Sequence, residues 1–413
     1  MNLRNYILVT GAYWGFTLTD GALRMLVLLH FFNLGYAPVT LAFLFLLYEF
    51  FGIVTNLLGG WIASRMGLRV TLVAGLGLQV AALGMMALLN PAWTEFYSVA
   101  WVMVSQALSG IAKDLTKMSS KSAIKVLVPA DAKGMLFKWV AVLTGSKNAL
   151  KGAGFFLGGF LLATAGFAGA LWIMAGALAL VWAGAWASLP KEMGKAKTKA
   201  GWRELFAKSP AINVLCLARF FLFGARDIWF VVGVPVFLRG VLGWSFAEVG
   251  AFMAFWVIGY GIIQGAAPVI LRGRAPAGGT ATGIAFALAA VAAAIPLGLA
   301  AGAPANVVIV GGLAIFGAVF ALNSAVHSYL ILDYTDGDKV ALNVGFYYMA
   351  NAGGRLAGCL LSGVLYQVAG LPGCLWGAAS FALVAAAAAT QLPREALHAE
   401  RLAAATHKSG DGD

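Results

Sequence analysis

The sequence predicts an all-α membrane protein whose twelve transmembrane helices form two pseudo-symmetric six-helix bundles. Its 413 residues are 61% hydrophobic and 11% charged, with a mean hydropathy of +0.87, whereas soluble domains are about 25% charged. Apolar runs near the length that crosses a bilayer, about 20 residues, recur along the whole chain, and a stretch of the second half repeats one of the first.

The runs lie at 5–33, 39–63, 69–90, 95–118, 136–164, 167–189, 210–235, 246–271, 278–300, 306–332, 341–367 and 371–392. The start, MNLRNYILVTGAYWGF, enters the first run without a small-residue cleavage site, so that run is expected to be a retained helix. Residues 189–210, LPKEMGKAKTKAGWRELFAKSP, are the longest polar break and fall at the midpoint. The expected organisation is an N-terminal bundle over 1–190, a basic linker over 191–209, a C-terminal bundle over 210–392 and a polar tail over 393–413.

Lys and Arg number 28 against 16 Asp and Glu, a formal +12. In a soluble chain such an excess would point to nucleic acid. Here the charges alternate with the spans: Arg4, Arg65, Arg69, Lys121, Lys125, Lys133, the linker lysines, Arg272, Arg274, Lys339 and Arg394 share one side, against Arg239 on the other. The positive-inside rule then puts both termini in the cytoplasm, with the bilayer as a partner and no nucleic acid. Cys216, Cys359 and Cys374 are scattered and form neither a disulfide framework nor a metal-ligand spacing. No metal and no cofactor is expected.

KGAGFFLGGFLLATAGFAGALW from Lys151 aligns without gaps to RLAGCLLSGVLYQVAGLPGCLW from Arg355, at an offset of 204 residues. An offset near half the length means two homologous halves. Residues 60–69, GWIASRMGLR, resemble the helix 2–3 signature of the major facilitator superfamily in Gly60, Ala63, Arg65, Gly67 and Arg69, with Ser64 in place of the usual aspartate. The resemblance implies the major facilitator fold, a gating loop at Gly60, Arg65, Gly67 and Arg69 with its salt bridge weakened, and a substrate site between the halves near the midplane.

Ionisable groups inside a membrane mark functional cavities by default because lipid-facing charge costs several kcal/mol. Arg24, Lys147, Lys151, Arg219, Arg226 and Arg355 lie deep in spans, against the deep acids Asp20, Glu49 and Asp227. Lys113, Lys117 and Lys138 fall near predicted helix ends and are expected to snorkel. Asp20 and Arg24 are four apart on one helical face and can pair, whereas Lys147 and Lys151, also four apart, repel. The excess of cations predicts recognition of a small multivalent anion and disfavours cationic cargo. Arg355 and Lys151, equivalent in the repeat, are expected to anchor it, with Arg24, Lys147, Arg219 and Arg226 contributing and Asn323 and His327, four apart, orienting it. Asp20 or Glu49 is expected to exchange a proton for substrate or to balance charge, as is Asp227. No HExxH, GxSxG, P-loop or HxxxxD pattern occurs, so the protein is not expected to be an enzyme.

Three further stretches, TDGALRMLVLLHFF from Thr19, LYEFFGIVTNLLGGW from Leu47 and SGIAKDLTKMSSKSAIK from Ser109, resemble the ArsJ-type organoarsenical efflux transporters, a bacterial branch of the same superfamily. That resemblance implies export of 1-arseno-3-phosphoglycerate across the bacterial inner membrane, a functional link to glyceraldehyde-3-phosphate dehydrogenase without contact, and a protein acting as a monomer. The charges agree, since that compound has two oxyanion ends, and the scattered cysteines argue against a trivalent arsenic cargo, which would want clustered thiolates. A transporter of another phosphorylated or carboxylic organic anion satisfies the same charges. A membrane enzyme or scaffold is the reading from a different class.

Overall fold

The computed structural model describes residues 3–66, 68–127, 133–190, 209–271, 276–335 and 340–394. Within them the regular elements are α1 (Leu3–Asn33), α2 (Pro38–Met66), α3 (Leu68–Ala87), α4 (Glu95–Leu127), α5 (Lys133–Ser188), α6 (Pro210–Phe230), α7 (Gly233–Gly240), α8 (Phe246–Ile270), α9 (Gly278–Ala300), α10 (Ala305–Asp333) and α11 (Val340–Ala389). Among the described residues, 9 helices are long and apolar enough to cross a membrane. Two of these, α5 and α11, each break at one non-helical glycine, Gly166 and Gly370. With α4, whose charges keep it out of the apolar set, the predicted twelve crossings are present.

Both breaks reverse the chain. Gly166 (φ 69°) and Gly370 (φ 63°) adopt a left-handed backbone that L side chains resist, and they stand 204 residues apart, the repeat offset. The first limb of α5 ends at the face away from the start of α1, where Gly159 packs on the Phe246 carbonyl at the start of α8. Its second limb returns along α3, and at the other end Arg69 Nη2 donates to the Trp186 carbonyl at 2.6 Å. We call the face where α1 begins the entry face and its opposite the far face.

Two predicted boundaries move. The seventh span does not stop at 235: α6 is interrupted at Val231 and Val232 and α7 continues to Gly240. Pro235 cannot donate to the Val231 carbonyl, so the helix breaks there, and Ser362 Oγ accepts the freed Val232 and Gly233 N–H groups, each at 3.1 Å. α4 runs nine residues past the predicted end at 118, to Leu127, which changes where its charges sit.

Small residues bring the helices together as in other membrane bundles. A Cβ on Gly154 would meet the Leu18 carbonyl oxygen of α1 at 2.5 Å, and one on Gly358 would meet the Gly224 carbonyl oxygen of α6 at 2.8 Å. These two crossings, α1 on α5 and α6 on α11, build the two bundles along the same repeat. The bundles then meet through α2 against α11, where a Gly363 Cβ would lie 2.5 Å from the Pro38 carbonyl oxygen, and through α5 against α8, where a Gly250 Cβ would lie 2.9 Å from that of Phe155. Toward the far face the Val39 N–H also donates to Gln367 Oε1 at 3.3 Å.

Close packing at these glycines sets a stability test. Gly154→Ala and Gly358→Ala should each destabilise the protein by about 1–3 kcal/mol through overpacking, seen as a lower melting temperature in detergent. Gly176→Ala, where nothing lies within 4 Å, should not. Equal melting of all three would remove the packing role assigned to the crossings.

Candidate functional site

Six helices deliver charged groups to the middle of the molecule. α1 supplies Asp20 and Arg24, α2 Tyr48 and Glu49, and α4 Lys113, Asp114 and Lys117; α5 supplies Lys151, α6 Arg219, Arg226 and Asp227, and α11 Arg355. Gly21 admits α5 to this centre, because a Cβ there would stand 2.7 Å from the Lys151 carbonyl oxygen.

Five of the groups form one ladder of alternating charge across both bundles. Glu49 Oε1 accepts from Arg24 Nη1 at 3.2 Å and from Arg355 Nη2 at 2.5 Å. Arg355 Nε then donates to Asp227 Oδ2 at 3.2 Å, and Asp227 Oδ1 takes Arg226 Nη2 at 2.5 Å. Glu49 is 0% exposed and Asp227 1%, so both carboxylates rely wholly on these cations, since a lone buried charge is prohibitively costly. The Glu49–Arg355 bond joins α2 of one bundle to α11 of the other. Arg226 also lies over the rings of Phe223, Phe230 and Phe320 at 5.0, 5.6 and 5.6 Å, a cation–π seat that fixes its direction.

The expected Asp20–Arg24 pair is not formed. Arg24 reaches across to Glu49, and Asp20 Oδ1 accepts the Tyr48 hydroxyl at 2.6 Å. The spacing of four permits the pair, but a guanidinium has more to gain from a fully buried carboxylate on the next helix.

Lys113 and Lys117 do not snorkel. Because α4 continues to Leu127, Lys113 and Lys117 sit well inside it. Lys117 Nζ binds Asp114 Oδ1 at 2.5 Å and Asn56 Oδ1 at 2.7 Å, while Thr55 Oγ1 donates to Asp114 Oδ2 at 3.0 Å. Lys113 Nζ lies 4.0 Å from the Tyr48 ring centroid, and a Cβ on Gly52 would be 3.6 Å from Nζ and 4.0 Å from Ala352 of α11. Lys113 is therefore at the seam between the bundles. Lys151 Nζ lies over the Phe155 ring at 5.6 Å. Among the described residues neither Lys113 nor Lys151 has a carboxylate within ion-pair distance.

Arg219 is apart from the ladder. Its Nε donates to Asn351 Oδ1 at 3.0 Å and its Nη1 to the Ser324 carbonyl and hydroxyl, both at 3.2 Å. Tyr260 and Gln264 share the same hydroxyl, and Asn148 of α5 reaches Gln264 at 3.5 Å, so this polar cluster also touches both bundles. Asn323 and His327 are buried in the C-terminal bundle, with no side-chain hydrogen-bond partner among the described residues. Lys147 is half-buried one turn from Lys151. Of the gating loop, Arg69 is placed on Trp186; Gly67 and the side chain of Arg65 lie outside the described residues, as does that of Lys138, and Gly60 is described only as backbone of α2.

Sequence reasoning missed Lys113, Asp114, Lys117, Tyr48 and Asn351. The first three carried a signal: Lys113 and Lys117 are four apart, and reading α4 to Leu127 would have put both on one inward face. Tyr48 and Asn351 carried none, being single polar residues in apolar runs.

Shared charge predicts coupled mutational effects. In a double-mutant cycle read by melting in detergent, Glu49→Gln and Arg355→Gln should show a coupling of about 0.5–3 kcal/mol. Arg219→Gln combined with Glu49→Gln should be additive. Additivity in the first pair would mean that the ion bridge between the bundles does not operate.

The family model for the Major Facilitator Superfamily matches residues 7–327. No curated protein sequence matches the chain. Among solved structures, a POT family transporter in complex with a thioalcohol-conjugated peptide superposes with a TM-score of 0.70 at 14% identity, over 92% of this chain and 94% of that one. The nucleoside transporter NupG gives 0.69 at 15% identity over 94% and 99%, and a D-xylose–proton symporter 0.68 at 15% over 94% and 97%. At such identities the likeness concerns the fold. A family model covering most of the sequence, on a twelve-span fold shared with transporters, shows that the chain belongs to the major facilitator superfamily of multi-pass membrane transporters.

Proposed function

We propose that the protein exports a small organic polyanion by alternating access, that this anion is 1-arseno-3-phosphoglycerate, and that export confers arsenate resistance. The observation that carries the anionic reading is the balance of charge at the centre. Three guanidiniums share two carboxylates in the ladder, and the ammonium groups of Lys113 and Lys151 lie over aromatic rings with, among the described residues, no carboxylate within ion-pair distance. Both lysines are half-buried, where an ammonium without an ion-pair partner is costly to hold, and an anion with two charged ends relieves both. The arsenical identity rests on the sequence resemblance and on hard oxygen-binding cations in place of thiolates.

In this reading the protein sits in the bacterial inner membrane with both termini and the basic linker in the cytoplasm, as the distribution of loop charge favours. The halves are 1–190 and 210–392, joined by 191–209 and followed by the tail 393–413. Lys151 and Lys113 draw in the substrate's charged ends, Arg24 and Arg355 offer them guanidinium contacts, and Lys147, Arg219 and Arg226 set the field. Asp20 serves as the proton-exchanging carboxylate, since it bonds to the Tyr48 hydroxyl and, among the described residues, to no cation. Glyceraldehyde-3-phosphate dehydrogenase supplies the substrate from arsenate without touching the transporter, which works as a monomer. A different phosphorylated or carboxylic organic anion is the second reading, favoured by the same uncompensated lysines.

Two measurements test this. Everted membrane vesicles should accumulate radiolabelled arsenic when given arsenate together with the dehydrogenase, its nicotinamide cofactor and glyceraldehyde 3-phosphate, and not with arsenate alone. Equal uptake without the dehydrogenase would refute the adduct as substrate. Lys151→Gln should insert normally and lose most of this uptake, about 30-fold in affinity for one charged contact to a desolvated anion. Asp20→Asn should keep substrate exchange across the vesicle membrane but lose accumulation driven by a pH gradient. Unaltered gradient dependence would take the proton away from Asp20.

A further inference from the structure

Glu49 is held in a lopsided way. Its Oε1 accepts from both Arg24 and Arg355, while its Oε2, equally buried, has no partner among the described residues. A carboxylate selected as a permanent counter-ion to guanidinium engages with both oxygens in a fork. Asp227 on the other side of Arg355 does use both, one for Arg355 and one for Arg226. Arg24 is under-used as well: its Nε and Nη2 are buried and have no hydrogen-bond partner among the described residues. Arg24 borders a crevice with Asp20, Phe45, Tyr48 and Gln106 that is too tight to admit a water while Glu49 holds its place. Gln106 Nε2 is a further buried donor with no partner there. Unspent buried donors of this kind are costly, and Arg24 is only 7% exposed, so water relieves them little.

The donors outnumber what Glu49 can accept as it sits, and their arrangement suits a larger acceptor. A tetrahedral oxyanion on an ester or anhydride, with three terminal oxygens, could take Arg24 through two nitrogens, Arg355 through its Nη2 and Gln106 through its amide. We infer that Glu49 is a tethered stand-in for the substrate: its carboxylate fills the Arg24–Arg355 seat in the substrate-free protein, and a tetrahedral oxyanion of phosphate or arsenate type displaces it. The inference rests on the polyanion-transport reading and deepens it by naming the seat and its internal competitor. Displacement also breaks the Glu49–Arg355 bond between α2 and α11, so occupation of the seat releases one bundle from the other. Arg355 stays charge-balanced through Asp227 when this happens, and Glu49, released from both guanidiniums, takes up a proton, since a lone buried carboxylate is prohibitively costly.

Purified protein in detergent micelles, titrated with inorganic phosphate and separately with 3-phosphoglycerate by calorimetry, tests this. A site occupied by its own competitor nine-tenths of the time shows an apparent affinity reduced about tenfold. Glu49→Gln should therefore bind inorganic phosphate at least about tenfold more tightly than the wild type, and Arg24→Gln added to it should abolish the gain. Glu49→Asp, which keeps the charge but withdraws it by one methylene, should show a smaller gain and guards against a misfolded amide variant. Phosphate affinity equal to or below wild type in folded Glu49→Gln, or in Glu49→Asp should the amide fail to fold, overturns the inference. The transport reading fails separately, on wild-type protein that neither binds 3-phosphoglycerate nor accumulates arsenic in vesicles, and a gain of phosphate binding in Glu49→Gln would support the stand-in even then.

Discussion

Arg355 held between Glu49 and Asp227 is the contact on which the rest of the centre depends. In lipid a charge is tolerable only when paired or turned toward water, and each member of the ladder has been given its place by the need of the next. Glu49 can be fully buried because two guanidiniums reach it. Asp227 can be buried because Arg355 and Arg226 do the same from either side. The backbone approaches at Gly224 and Gly358 bring α6 to α11, and that at Gly363 brings α2 to α11, close enough for Arg355 to meet both acids. Replacing this ladder by apolar residues would cost little stability in principle. Its persistence in the middle of an otherwise apolar molecule is a matter of function.

The backbone repeats and the charges do not. Gly21 and Gly224 make equivalent crossings, and three residues on from them Arg24 in one half stands where Asp227 stands in the other. Lys151 and Arg355 keep the same sign but not the same chemistry, one a point charge over an aromatic ring and the other a planar fork between two acids. Pseudo-symmetry in the scaffold therefore carries an unsymmetrical field: among the described residues, Lys113 and Lys151 of the N-terminal bundle have no carboxylate within ion-pair distance, whereas Arg219 of the C-terminal bundle is held by the neutral groups of Asn351 and Ser324. Such a centre can distinguish the two ends of a ligand.

Most of the fold was legible in the sequence because its signal is redundant: every apolar run votes for a span, and the loop lysines and arginines vote for their alternation. The reversal at Gly166 and its partner at Gly370 were implied by the aligned repeat. What failed was local. The α4 end was set too early because Lys113 and Lys117 were read as marking the membrane surface, whereas Lys117 binds Asp114 and Asn56 inside the bundle and Lys113 lies over the Tyr48 ring. The charged residues of the centre were identifiable from depth alone, but their pairing was not. Spacing along one helix proposed Asp20 with Arg24, and the partner chosen lies on the next helix, 25 residues away. One-dimensional spacing reports which groups share a face; it carries no information on what another helix presents to that face.

The reversals at Gly166 and Gly370 bear on how the chain enters its membrane. A conventional pair of spans trails a polar loop that must be dragged through hydrocarbon before the second helix can settle. Here the leading tips read LLATAGFAGALW and LYQVAGLPGCLW, with no Asp, Glu, Lys, Arg or His in either. Each tip is closed by a single residue of left-handed backbone. These segments can insert as ready-made hairpins, tip first, at the desolvation cost of a few peptide groups. The second and last spans of each hairpin then need no separate topological signal of their own, which accounts for the want of flanking positive charge at either tip.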